Sequence, residues 1–144
     1  MTTLRDRAAT RNWAVVIAVA VGICYFSVFS SPDAGVSSLG PLGLVGMDKW
    51  YHATGYGVLG ILLAVALSSH NDMATRAIKI ALVAMSGATG FGILMEIAQA
   101  FVPVRHTGIG DVIADAVGAS LAVGIWWVTV RWLVARRDEG DLRA

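Results

Sequence analysis

Nine side chains in this sequence are of the kinds that do chemistry, at spacings that can bring them together: Asp48, Lys49, His52, Tyr56, Glu96, Gln99, Arg105, Asp111 and Asp115. Asp48, His52 and Tyr56 follow one another at intervals of four, so on a helix they form one stripe. Glu96 and Gln99 are three apart and share a face, as do Asp111 and Asp115, four apart. A histidine beside carboxylates is the pairing used in general acid–base catalysis. Lysine and arginine recognise phosphate and carboxylate groups. One histidine with several carboxylates is also, by ligand type, a set that takes a divalent cation. The acids Asp48, Glu96, Asp111 and Asp115 outnumber Lys49 and Arg105, so at close quarters a proton or a bound cation must offset the excess.

Plainer roles compete for several of these residues. Lys49 reads equally well as a helix-end anchor at lipid headgroups, and Arg105 can serve the same way. Asp48 and Asp111 stand where helix N-caps belong. His70 and His106 read as solvated loop residues. Neither HExxH nor GxSxG is present, and no nucleophile is evidently aimed at the group. The chain is therefore expected to work without metal or other cofactor, and an enzyme is the weaker reading.

The elements that must position these residues are legible from composition. Of 144 residues, 56% are apolar and only 15% charged, with mean hydropathy +0.67. Soluble domains carry roughly 25% charged residues, so the chain is short of solvating side chains. A formal net charge of +1 gives no basic surface for nucleic acid, and the single Cys24 excludes an internal disulfide. Four apolar runs, 13–30, 50–67, 77–101 and 109–133, are near or above the roughly 20 residues a bilayer requires. Lipid cannot satisfy a bare backbone, so the runs must be helices. The expectation is an all-α polytopic membrane protein, a bundle of four transmembrane helices.

Nine of the eleven Lys and Arg residues fall on one side of such a bundle, leaving Lys49 and Arg105 on the other. The positive-inside rule then places both termini in the cytoplasm of a multi-pass cell-membrane protein. The sequence Phe29-Ser30-Ser31-Pro32 is a poor cleavage site, so the first run reads as a retained span. The chain divides into a cytoplasmic segment (1–11), a four-helix membrane domain (12–133) and a charged cytoplasmic tail (134–144). Trp13, Trp126, Trp127 and Trp132 are expected towards the inner interface, and Trp50 and Tyr51 at the outer one.

In that orientation all nine residues lie towards the extracytoplasmic face, none deeper than about 10 Å at 1.5 Å per residue. A charged side chain facing lipid costs about 2.5–3.5 kcal/mol, so the stripes should face one another. They continue into small residues, Ala84, Ala88 and Gly92 before Glu96, and Ala114, Gly118 and Ala122 around Asp115, which let helices approach closely. The expected result is a polar cup opening outward.

Asp48-Lys49-Trp50-Tyr51-His52, with Tyr56 and Leu59-Gly60, resembles the first signature of VanZ-like membrane proteins. Glu96-x-x-Gln99, then Phe101, Pro103, Arg105, Asp111 and Gly118, resembles the second. The likeness spans roughly residues 12–130. It implies a small polytopic protein of the cell envelope, in a family whose namesake is associated with low-level resistance to the glycopeptide antibiotic teicoplanin. Two positions depart from the pattern: Gly108 stands where the family often has Ser, and Asp115 where it usually has Asn. The extra carboxylate makes this cup more acidic.

Three functions compete on these grounds. The leading one is a binding or accessory protein whose cup engages a membrane lipid, a lipid-linked envelope precursor or an amphiphilic antibiotic. The second is a membrane enzyme acting on a lipid headgroup through His52 and the carboxylates. The third is an ion-coupled transporter, disfavoured because the opposite helix halves offer no polar path, although a homodimer would add walls to one.

Overall fold

The structure, a computed structural model, describes residues 4–29, 39–41, 43–68, 73–103 and 107–141. It consists of helix α1 (Leu4–Cys24), continued by a π-helical turn (Tyr25–Phe29), then α2 (Met47–Ser68), α3 (Met73–Gln99) and α4 (Ile109–Asp141). Among the described residues the prolines, Pro41 and Pro103, fall between helices, where their missing N–H and fixed φ do no harm. No strand forms among the described residues; one isolated bridge pairs Leu39 with Gly46. At 1.5 Å per residue each helix exceeds the ~30 Å of a hydrocarbon core. Four stretches, Asp6–Phe29, Met47–Ser68, Arg76–Gln99 and Ile109–Arg136, are long and apolar enough to cross a membrane. The expected all-α, polytopic four-helix bundle is what the chain forms.

Helix boundaries depart from the apolar runs where charged residues join the helix. α1 begins at Leu4, within the segment assigned to 1–11, and α4 continues past Leu133 to Asp141. Charge ends a hydrophobic run without ending a helix, because Arg and Glu are good helix formers. On this extension the Arg136 guanidinium lies 3.8 Å from the centre of the Trp132 ring.

α2 is the central element, packed on α4, α3 and α1. Its close approach to α4 depends on glycine. The Ala53 backbone sits where a Cβ on Gly118 would be, and a Cβ on Gly57 would lie 3.2 Å from the Gly118 carbonyl oxygen. Without a hydrophobic driving force in lipid, such contacts hold helices together by dispersion over short distances. Two apolar clusters fill the bundle. One joins Val16 of α1 to Tyr56, Leu59, Ala66, Ala88 and Ala119, with Val19, Ala20 and Ile23 against it. The other comprises Ala64, Ile80, Ala81, Ala84 and Val123, with Trp126 and Trp127 packed on it. Those two tryptophans thus contribute to packing as well as to any interfacial belt.

Candidate functional site: a charged cluster at one end of the bundle

The start of α2, the end of α3 and the start of α4 meet at one end of the bundle, because consecutive helices run in opposite directions. A short hairpin leads into α2. Gly40 N donates to the Val45 carbonyl (2.8 Å) and Gly43 N to the Gly40 carbonyl (2.8 Å). Gly43 has φ of +63°, which glycine adopts without steric cost. The Asp48 carboxylate fills the space beside Gly46, where a Cβ would collide with it.

Lys49 ties α2 to α4. Its ammonium donates to the neighbouring Asp48 carboxylate and, at 2.6 Å, to Asp111 Oδ1. Lys49 is thus an inter-helix partner as well as a cation at the end of α2. Asp111 is the third residue of α4 and its carboxylate is engaged by Lys49, so the N-cap alternative fails. Gly110 leaves room for the lysine stem: a Cβ there would lie 3.1 Å from Lys49 Cε.

One turn further along α2, His52 Nδ1 donates to Asp115 Oδ1 at 2.8 Å. The other ring nitrogen, Nε2, faces Asp111 Oδ1 at 4.0 Å. Asp115 is wholly buried, and Gly92 of α3 lies against its carboxylate where any side chain would intrude. Tyr56 completes the α2 stripe. Its ring stacks on His52 (centroids 6.1 Å apart, planes 10° apart) and rests on Phe91. The Tyr56 hydroxyl is buried without a hydrogen-bond partner among the described residues, as are Glu96 Oε1 and Asp115 Oδ2.

Glu96 is 8% exposed, and its Oε2 accepts the backbone N–H of Gly108 at 3.0 Å. Gln99, on the same face of α3, does something different. It is 5% exposed, and its Nε2 donates to the Ser27 carbonyl at 2.9 Å. That carbonyl lies in the last turn of the first span, where backbone acceptors lack helical donors. Gln99 therefore fastens α3 to the end of the first span. Arg105 lies outside the described residues, as do His70 and His106.

The structure thus brings Asp48, Lys49, His52, Tyr56, Glu96, Asp111 and Asp115 together, with Gln99 at the edge. Four contributors did not stand out as chemistry in the sequence: the Gly108 amide, the Ser27 carbonyl, Phe91 and Gly92. Gly92 carried a signal, since it lies four residues before Glu96 on the α3 stripe. The backbone groups carried none. Among the described residues, four carboxylates confront one ammonium and one imidazole, the chemistry of a site for cations, amines or protons.

No protein-family model, curated protein or solved structure matches this chain. The likeness to VanZ-like proteins rests on the quoted residues alone.

Proposed function

We propose that the charged cluster is an extracytoplasmic cup of a cell-membrane protein, with both termini in the cytoplasm, that engages an amphiphile of the cell envelope. The occupant is a membrane lipid, a lipid-linked precursor or an amphiphilic antibiotic. One observation carries this reading: four carboxylates, an ammonium and an imidazole gather at one end of a bundle that exposes large apolar side chains along its whole length, that end included. Phe29, Leu44, Tyr51, Phe101 and Ile109 all lie at that end, and Phe101 and Ile109 are each 82% exposed. A charged centre with an apolar rim suits a ligand having a polar head and a hydrocarbon tail. The carboxylates would receive amine and hydroxyl groups of the head, while Lys49 and Arg105 would receive its phosphate or carboxylate. The cation asymmetry supports the orientation, and the VanZ-like signatures support an envelope role with a bearing on antibiotic resistance.

The test is lipid binding by purified protein in nanodiscs, with a polyprenyl phosphate as probe and phosphatidylglycerol as comparison. Saturable polyprenyl phosphate binding, weakened at least about tenfold by Lys49→Ala as expected for loss of a charged contact, supports the reading. Equal binding by wild type and Lys49→Ala contradicts it.

A second reading, an enzyme acting on a lipid headgroup, is favoured by the His52–Asp115 pair, which has the form of an oriented general base. Turnover of a labelled lipid that disappears in Asp115→Asn would favour it over simple binding.

A further inference from the structure

The amphiphile reading leaves the inner part of the cluster unexplained. His52, Glu96 and Asp111 each place one ligand-type atom within 4.8 Å of the other two. They come from α2, α3 and α4, so the grouping is a product of the fold rather than of one helix turn. An acidic grouping alone would say little, but two further features distinguish this one. Glu96 is more than nine-tenths buried, and its Oε1 has no hydrogen-bond partner among the described residues. A buried carboxylate oxygen in that condition wants a cation or a proton. The second feature is the orientation of the histidine. Its Nδ1 is engaged by the buried Asp115 at 2.8 Å, which turns Nε2, the nitrogen left to take a cation, towards Asp111. A carboxylate holding the far nitrogen of a metal-binding histidine is the recurrent support around such centres.

We propose that His52 Nε2, a Glu96 oxygen and an Asp111 oxygen bind a divalent transition-metal cation, with Asp115 positioning the histidine. This departs from the metal-free expectation drawn from the sequence, where no contiguous motif announced a metal. The ligands sit 44 and 15 residues apart in the chain, a spacing that no short motif describes. One nitrogen with two carboxylate oxygens suits zinc, manganese or ferrous iron better than calcium or magnesium. Bonds of about 2.0–2.2 Å hold ligand atoms roughly 3–3.5 Å apart, so the three groups need to close by about an ångström. Asp111 Oδ1, which faces Nε2, is also the oxygen Lys49 engages, so a bound cation would share that carboxylate with the ammonium. The cation would offset the surplus of carboxylate. The proposal does not depend on the amphiphile reading: a protein that binds metal and no lipid, or lipid and no metal, separates the two.

The experiment is metal analysis and titration on the full chain in nanodiscs, after chelation and dialysis, with Zn²⁺ and Mn²⁺ as probes. The expected result is one metal per chain and a chelator-reversible rise in unfolding temperature. His52→Asn and Glu96→Gln should abolish both, and Asp115→Asn should weaken binding about 10–100-fold as loss of a supporting carboxylate does. His70→Ala should change nothing. X-ray absorption at the zinc edge of the wild type reads the ligand set even if a variant fails to fold. One imidazole nitrogen with oxygens supports the assignment, whereas sulfur or several imidazoles overturns it. Absence of stoichiometric metal, or equal binding by wild type and Glu96→Gln, also overturns it.

Discussion

The two ends of the bundle are built from the same three helices and solve opposite problems. At the end holding Ala64, Ile80, Ala81, Ala84 and Val123, the helices meet through apolar side chains, with Trp126 and Trp127 closing the contact. At the other end they meet through charge: Lys49 on Asp48 and Asp111, His52 on Asp115, Glu96 on the Gly108 amide. Lipid offers hydrocarbon nothing that a neighbouring helix does not, so the apolar end is held by close packing. At the charged end an unpartnered group is costly, so each polar group requires a particular partner at a particular depth. Packing tolerates exchange among small apolar residues, whereas the charged end constrains residue type and position. The glycines divide by helix face rather than by end: Gly55 near the charged cluster is open, whereas a Cβ on Gly60 would lie 2.9 Å from Val123 Cγ2. Gly118 and Gly92 have backbone or carboxylate pressed against them at the charged end, while a Cβ on Gly124, further along α4, would meet nothing within 4 Å.

The largest expected effect breaks that division directly. Gly118→Ala drives a methyl into the Ala53 backbone and must part α2 from α4 beside the cluster. The expected loss exceeds about 3 kcal/mol, beyond the ~1–3 kcal/mol usual for an overfilled core, and is read as loss of the folded peak in size-exclusion chromatography. Gly124→Ala should stay within about 0.5 kcal/mol of wild type in the same assay. Equal tolerance of the two would show that the helices do not approach as described.

A smaller effect sharpens the electrostatic side. Lys49→Met removes the ammonium from between Asp48 and Asp111 and should cost about 1–3 kcal/mol, the range for leaving a charged acceptor unpaired. Adding Asp111→Asn should recover part of that loss. A coupling of at least about 0.5 kcal/mol in a double-mutant unfolding cycle marks the pair, and additivity would deny it.

The smallest effect concerns the edge of the site. Gln99→Leu loses the bond to the Ser27 carbonyl and should cost about 1 kcal/mol. It should also raise protease sensitivity after the first span without altering lipid or metal binding. If binding fell instead, Gln99 would belong to the cup itself.

The sequence made the architecture readable because hydropathy over 20 residues is a long, redundant signal. It also made the grouping of Asp48, His52, Glu96, Asp111 and Asp115 readable, since charges within spans must avoid lipid and all lay towards one end. Pairings were less accessible. Helical spacing fixes which residues share a face but not what stands opposite, so Lys49 read as readily as a headgroup anchor as a partner of Asp111. Gln99 shares the Glu96 face, yet it serves a carbonyl in the first span, because side-chain reach and local rotation decide between neighbours three residues apart. Backbone donors such as the Gly108 amide have no residue type to announce them. The packing of α1 was equally hidden. From Trp13 onward the helix is apolar all round, and only the structure selects the stripe through Val16, Val19, Ala20 and Ile23 as its contact with the bundle.

The central claim is that side chains from separate helices converge on one site, and the His52–Asp115 contact tests it most directly. Solid-state NMR on protein in bilayers, with ¹⁵N-labelled histidine and ¹³C-labelled aspartate carboxyls, measures that distance through dipolar recoupling, with His52→Asn identifying the signal. An Nδ1 to Oδ1 distance of 2.8 Å predicts strong dephasing, corresponding to a nitrogen–carbon separation of about 3.5 Å. No dephasing at His52, with the nitrogen beyond about 6 Å from every aspartate carboxyl and so out of hydrogen-bond reach, would contradict the account.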